Sequence, residues 1–372
     1  MSGWSGRMRA WRVHSYAGMA ELRLEGARVP PLRAPDDVLV RVCAASLNPL
    51  DIAMIGGYGS RILNTLRKLD GGENVEFPLV VGRDFVGEVS LPGAGSRLRR
   101  GQRVWGVVPP HKPGSLAQYV IVKDRWAGPA PSSLGDLQAG GALYAGLTAC
   151  AALRVAGLPP GERTRARVLL LGAGGVGQAA LQLLVNSGAQ VTVGCSGDLS
   201  DRVVSMGAAA SLDRHSPEYD RLLEESGPYD VILDCAGLGG AEAGARRWRY
   251  SRYVTLTTPL LREADARGLV AGTLASVASL AQQCVSAARA SPSSSPSSLC
   301  PSHVRWAYFF PSSSDIEMLR RLAERGKFTV EVERAYAWWE GAAAFERAKQ
   351  GSARGKLLLD FSLPPPATLN VQ

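Results

Sequence analysis

The 372-residue chain predicts an α/β protein in which a β-rich N-terminal domain is followed by a parallel, doubly wound sheet. Three observations carry this. At roughly 150 residues per domain the length accommodates about two cores. Short apolar runs cut by Gly, Pro and Asp fill the first third, and beyond Gln138 Ala-rich helical stretches alternate with apolar strands. With 46% hydrophobic and 20% charged residues, the composition excludes a mainly disordered chain, a collagen and a disulfide miniprotein.

In order along the chain, residues 10–14 read as the first strand, and residues 37–43, 77–89, 102–108 and 118–123 as further strands. Turn clusters at 30–37, 56–59, 92–95 and 109–114 separate them. The strands of the second domain fall at 168–171, 191–195, 231–234 and 253–256, with helical segments between them. A Ser/Pro-rich insert over 288–302 cannot pack a core and reads as a disordered loop. After it come a strand at 303–310, a helix at 314–326, a strand at 327–333, a helix at 339–350 and a last strand at 356–361.

Lys plus Arg exceeds Asp plus Glu by 42 to 33, a net charge of +9 that suits anionic ligands but names none. No aromatic-and-basic sheet signature marks a specific nucleic-acid surface. Six cysteines stand singly, without a C-x-x-C pair, which predicts reduced thiols in an intracellular protein. Two stretches lack charge, 168–197 and 268–288. Glycines and amides in the first predict a buried strand-turn-helix-strand, and the second, rich in Ala, Ser and Thr, is too weakly apolar to be expected as a membrane span. Arg7, Arg9 and Arg12 precede any acid, as in an organelle-targeting segment, but the strand at 10–14 leaves little chain upstream for one.

The strongest chemical signal is the apolar run 167–171 feeding Gly172-Ala-Gly174-Gly-Val-Gly177 and then a helix. In a dinucleotide-binding Rossmann unit the first glycine permits the tight turn, the second lets backbone approach a pyrophosphate, and the third lets helix pack on strand. The helix N-terminus adds free N–H groups and a positive dipole. The next strand ends at Cys195-Ser196 without the acid that would bind a ribose 2′-hydroxyl. Ser196 with Arg202 or Arg214 suits a 2′-phosphate, so NADPH is the expected cofactor, with Asp198 the residue that argues for NADH. The four histidines, His14, His111, His215 and His303, lie far apart and away from cysteines, so no metal site is expected.

Several blocks together resemble the medium-chain dehydrogenase/reductase superfamily, in its zinc-free quinone-oxidoreductase branch: Asn48-Pro-Leu-Asp51, Gly82-Arg-Asp84-Phe-Val-Gly87, Gly101-Gln-Arg-Val-Trp105 and Gly114-Ser-Leu-Ala-Gln-Tyr119. In zinc-bearing relatives Asn48 would be a ligand cysteine and Arg83 a ligand histidine. The blocks Arg252 to Pro259, Arg305 to Phe310 and Ser352-Ala-Arg-Gly-Lys356 resemble a mitochondrial NADPH-oxidoreductase subfamily linked to ubiquinone synthesis and to reticulon partners. The resemblance implies a GroES-like catalytic domain over 1–148, a Rossmann NADPH-binding domain over 149–325, and a C-terminal return to the catalytic domain over 326–372. It places cofactor contacts on Gly172, Gly174, Gly175, Val176, Gly177, Ser196, Arg214, Leu256, Phe309, Ser352, Ala353 and Arg354. Family members carry tyrosine at the Arg214 position and asparagine at that of Cys235.

The implied activity is hydride transfer from NADPH to a small quinone or enone, supporting ubiquinone synthesis in mitochondria. Charge arriving on the substrate oxygen then needs a donor. Candidates are Asn48, Tyr58 and Lys68, with Asp51 orienting the Asn48 loop and Arg83 expected to pair with Asp84. Trp105, Trp306 and the Trp338-Trp339 pair are expected in the core rather than around a ring substrate. The competing reading is an NADPH-binding scaffold for reticulon or ubiquinone-synthesis proteins with little turnover.

Overall fold

The structure is a computed structural model that describes residues 6–71, 76–291 and 301–367. It divides into two compact units, one of residues 1–144 with 311–372 and one of residues 145–310.

The first unit begins with β1 (Arg7–Val13), β2 (Arg23–Arg28) and β3 (Asp37–Leu47), followed by α1 (Pro49–Ile55), α2 (Ser60–Leu69) and β4 (Leu79–Val80). Strands β5 (Asp84–Pro92), β6 (Arg103–Val107), β7 (Tyr119–Lys123) and β8 (Ala127–Pro129) complete its N-terminal part. The single run expected at 77–89 is thus two strands, because Gly82 turns the chain with φ 99° before β5 starts. Strand β3 organises the unit: over residues 38–41 it pairs antiparallel with β5 on one edge and β7 on the other, and its ladder to β5 carries register shifts at Leu39/Val40 and Val42/Ala44. Its core packs Val38, Val40, Phe85, Val104 and Leu116 together.

Helix α3 (Asp136–Val155) leads into the second unit, whose elements are β9 (Arg167–Leu171), α4 (Gly175–Ser187), β10 (Gln190–Cys195), α5 (Ser200–Ser205), β11 (Ala210–Asp213), α6 (Tyr219–Glu225), β12 (Tyr229–Asp234), β13 (Tyr250–Thr255), α7 (Leu260–Arg267), α8 (Leu269–Ala290) and β14 (His303–Trp306). The six strands are all parallel in the order β11-β10-β9-β12-β13-β14. With β9 central, successive strands run outward on either side, which is the doubly wound arrangement expected. Strand β14 is shorter than the stretch read from sequence: its last ladder bond is Ala307 N–H to Thr255 C=O at 2.9 Å. The first residues of the expected Ser/Pro loop, 288–290, close helix α8, and 292–300 lie outside the described residues.

The return consists of α9 (Ser313–Glu324), β15 (Val332–Ala337), α10 (Gly341–Lys349) and β16 (Lys356–Asp360). It starts earlier than the boundary read from sequence, because α9 packs on β8: buried Ile316 lies beside Gly128, and the Glu324 carboxylate accepts from Ser132 N–H at 2.8 Å and its hydroxyl at 2.9 Å. The strand expected at 327–333 is displaced to β15, whose ladder to β16 starts at Val332 with a register shift before Arg334. Strand β16 then pairs antiparallel with β3, Leu357 opposite Leu47. Trp105 and Trp338 are buried in this unit, Trp338 edge-on to Trp339 with centroids 5.3 Å apart.

Candidate functional site

At the carboxyl end of the central strand β9 the chain turns through Gly172, whose φ of 91° is open to glycine and strained for other residues. A side chain there would meet Ala236 N at 2.9 Å. Gly177, in the first turn of α4, is held against the strand so closely that a Cβ would stand 2.0 Å from Gly172 C=O. Gly174 is the opposite case: a Cβ on it would meet nothing within 4 Å. Two glycines therefore serve packing, and the third borders open space at the amino end of a 13-residue helix. Gly175, Val176 and Gly177 contribute first-turn N–H groups there, where the dipole favours an anion.

Beside this turn, Gly172 N–H donates to Gly194 C=O at 2.8 Å, which brings the end of β10 alongside. Ser196 follows β10 and is buried, while Arg214 is exposed and tied to it by Arg214 N–H to Cys195 C=O at 2.8 Å. Sequence reasoning missed Asp213, which closes β11: its Oδ1 accepts from Gly197 N–H and from His215 N–H, both at 3.0 Å. That carboxylate shapes the turn Ser196 and Arg214 share. Arg202 lies on α5, and Asp198 in the short turn before it.

A second missed residue is Asp234 at the end of β12. Fully buried, it accepts from Ala236, Gly237 and Leu238 N–H through Oδ1 at 3.0, 3.0 and 3.2 Å, and from Gly239 N–H through Oδ2 at 2.8 Å. Thr255 Oγ1 donates to Oδ2 at 2.8 Å. An acid ending an apolar strand before a glycine-rich loop was the available signal, since Asp side chains capture nearby backbone N–H groups. Cys235, next in the chain, has its thiol pushed up by burial and by the Asp234 charge. Leu256 and Phe309, both half-buried, follow β13 and β14 at the same edge of the sheet.

The first unit holds a buried polar cluster. Asn48 leaves β3 and precedes α1, with Pro49 at the first helical position. Its N–H donates to Asp51 Oδ2 at 2.9 Å, so Asp51 orients this turn as the sequence suggested. Its carboxamide is fully engaged inward: Nδ2 donates to Asp84 Oδ1 at 3.0 Å and Ser46 Oγ at 3.3 Å, and Oδ1 accepts from Lys356 Nζ at 2.6 Å. The expected Arg83–Asp84 pair does not form. Arg83 Nε donates to Asp51 Oδ1 at 3.2 Å, both side chains wholly buried, and its other nitrogens reach Val80, Pro109 and Lys112 carbonyls. Asp84 instead accepts from Ser46 Oγ at 2.6 Å, from Asn48 and from Tyr144 N–H at 3.2 Å.

Tyr58 is half-buried in the turn joining α1 to α2, between Gly57 and Gly59, both at positive φ. Lys68 lies exposed in the last turn of α2. A cavity of about 520 Å³ in this unit is lined by Arg67, His111, Lys112 and Lys123 among others, and by none of Asn48, Tyr58 and Lys68. Ser352, at φ 52°, and Ala353 precede Arg354, whose N–H donates to Glu333 Oε2 at 2.5 Å. Among the described residues no three His, Cys, Asp or Glu side chains group as metal ligands.

Comparison with known proteins bears on this geometry. Residues 34–132 match an alcohol dehydrogenase GroES-like domain and residues 206–359 a zinc-binding dehydrogenase domain. The chain is 38% identical over 365 residues to the mitochondrial NAD(P)H oxidoreductase RTN4IP1 of Drosophila melanogaster, covering 95% of this chain and 86% of that one. It is 32% identical over 369 residues to the mitochondrial reticulon-4-interacting protein 1 of Caenorhabditis elegans, covering 96% of each. The fold matches a quinone oxidoreductase structure from Coxiella burnetii with a TM-score of 0.73 at 24% identity, over 95% of this chain and 99% of that one.

Proposed function

From the premise that this chain belongs to the medium-chain dehydrogenase/reductase superfamily, among its NAD(P)H oxidoreductases, we propose that it uses NADPH to reduce quinones or activated carbonyls and enones. The observation that carries this reading is the contrast at the glycine turn: Gly177 has no room for a side chain, whereas Gly174 faces open space. That is the fit a pyrophosphate requires. Gly172, Gly174, Gly175, Val176 and Gly177 would hold it, Ser196 and Arg214 the 2′-phosphate, and Leu256 and Phe309 would lie along the remainder. Ser352, Ala353 and Arg354 complete the proposed set.

Bound NADPH supplies a hydride from C4 of its dihydronicotinamide; placement, exclusion of water and proton delivery fall to the protein. With both amide hydrogens of Asn48 engaged by Asp84 and Ser46, its proposed role is to frame the site, and Tyr58, half-buried in the turn between α1 and α2, is the proposed donor to a developing oxyanion. Lys68, exposed, contributes positive charge. The proposed chemistry is zinc-independent, because the positions of two ligands in zinc-bearing relatives are a locked carboxamide, Asn48, and a buried guanidinium, Arg83. The mitochondrial names of the relatives support the same compartment, and a ubiquinone-type ring is the substrate class proposed.

The test is steady-state oxidation of NADPH by the purified, metal-chelated protein with short-chain quinones and enones. Sustained turnover with a quinone is expected. Tight NADPH binding without oxidation across both classes would favour a binding role, such as with reticulon or ubiquinone-synthesis proteins, and absence of binding would overturn both readings.

A further inference from the structure

Helix α8 has 22 residues and, against the expectation that this stretch is too weakly apolar, is long and apolar enough by length and composition to cross a membrane, while a few residues of its inner face pack against protein. A Cβ on Gly272 would stand 2.5 Å from Ala264 N of α7, Ser276 and Ala287 are buried, and Gln283 Oε1 accepts from Trp306 Nε1 at 3.1 Å. These contacts hold one side of α8 along the second unit. Its outer face carries Val270, Leu274, Val277 and Val285 at helical spacing, each about half exposed or more. Over its length of about 33 Å the helix contains no acidic residue, and its one charge is Arg289.

Arginines bracket this stripe. Arg262 is exposed on α7, which packs along α8. Arg247, Arg249 and Arg289 are exposed around the other end, where Tyr250 N–H donates to Ser291 Oγ at 3.2 Å. None of the four has an ion-pair partner among the described residues. The nearby carboxylates of α7 are already engaged, Glu263 by Arg267 at 2.7 Å and Asp265 likewise occupied. A second copy would therefore bring no free carboxylate from this surface to answer the arginines. Anionic lipid headgroups would, while the acyl boundary received the valines and Leu274.

We propose that α8 is an interfacial helix that docks this protein, lying flat, on an anionic lipid surface. Flotation of the full chain with phosphatidylcholine vesicles containing or lacking phosphatidylglycerol tests this without requiring turnover. Binding is expected to the anionic vesicles and to fall with salt. Arg247→Gln and Arg289→Gln should each weaken it about fivefold. Leu274→Glu, at an exposed position where the thermal midpoint should stay unchanged, should weaken it on the order of tenfold. The proposal is overturned by failure of the full chain to float with anionic vesicles, or by flotation indifferent to Leu274→Glu. It is also overturned if Leu274→Glu converts a sedimenting dimer to monomer while no form binds lipid, which would assign the stripe to a second copy.

Discussion

The Lys356 ammonium donates to the Asn48 carboxamide oxygen at 2.6 Å, joining two buried side chains 308 residues apart in sequence. Antiparallel pairing of β16 with β3 delivers both, since Leu357 lies opposite Leu47. Burial pushes the Lys356 value below the usual 10.5, with the charges of Asp84 and Asp51 acting against that shift. The sign follows from linkage. A lysine whose folded value is depressed carries its desolvation cost while protonated and loses that cost as pH rises through the folded value, so it makes stability climb with pH up to the unfolded value near 10.5. The wild type should therefore gain on Lys356→Met across that alkaline window, by at most about 1.4 kcal/mol per pH unit. Urea midpoints of both proteins measured against pH check this, and parallel curves would contradict it.

Arg83 and Asp51 form a wholly buried ion pair, and removing the cation leaves a carboxylate without its counter-charge. Arg83→Met should cost about 3–5 kcal/mol in urea unfolding. Arg83→Lys should recover little, because a single ammonium cannot replace donors to Asp51, Val80, Pro109 and Lys112 together. A loss below about 1 kcal/mol for Arg83→Met would mean the pair is not carrying the fold there.

The same pair shows where the sequence stops being legible. The glycine turn could be read because its signal is local: an apolar strand, three spaced glycines and a helix in one short stretch. Arg83 and Asp84 invited pairing because they are adjacent, but successive residues entering a strand project to opposite faces, so Arg83 turns to α1 and Asp84 to Ser46 and Asn48. Alternation was the usable clue. Lys356 was visible only as the end of a motif, since its partner arrives from a strand near the other end of the chain. The exposed face of α8 was hidden for a related reason, because an apolar helix reads alike whether neighbours cover it or not.

The glycine turn separates folding from ligand binding. Gly177→Val drives a branched side chain into Gly172 C=O, and should abolish NADPH binding while lowering the thermal midpoint. Gly174→Ala meets no protein atom within 4 Å and keeps an ordinary φ of −72°. Its stability should stay within about 0.5–1 kcal/mol of the wild type. Its NADPH affinity should fall on the order of tenfold, about 1.4 kcal/mol, because the methyl group enters the proposed pyrophosphate space. Thermal scans with and without NADPH distinguish the two, and unchanged affinity in Gly174→Ala would remove the pyrophosphate from this turn.

The choice of nicotinamide cofactor turns on Arg214. Its backbone is fixed to Cys195 C=O, its guanidinium is exposed with Nε 3.2 Å from His215 Nε2, and the neighbouring Asp213 carboxylate is engaged by Gly197 and His215 N–H groups. A 2′-phosphate beside Ser196 would thus meet an exposed guanidinium with no salt bridge to an acid among the described residues. Charge-assisted hydrogen bonds of this kind contribute about 1.5–3 kcal/mol, so Arg214→Ala should weaken NADPH on the order of tenfold to a hundredfold and leave NADH nearly unchanged. Parallel titrations of both reduced cofactors decide it. Equal loss for the two would shift recognition of the 2′-phosphate to another residue, with Arg202 on α5 the next to substitute.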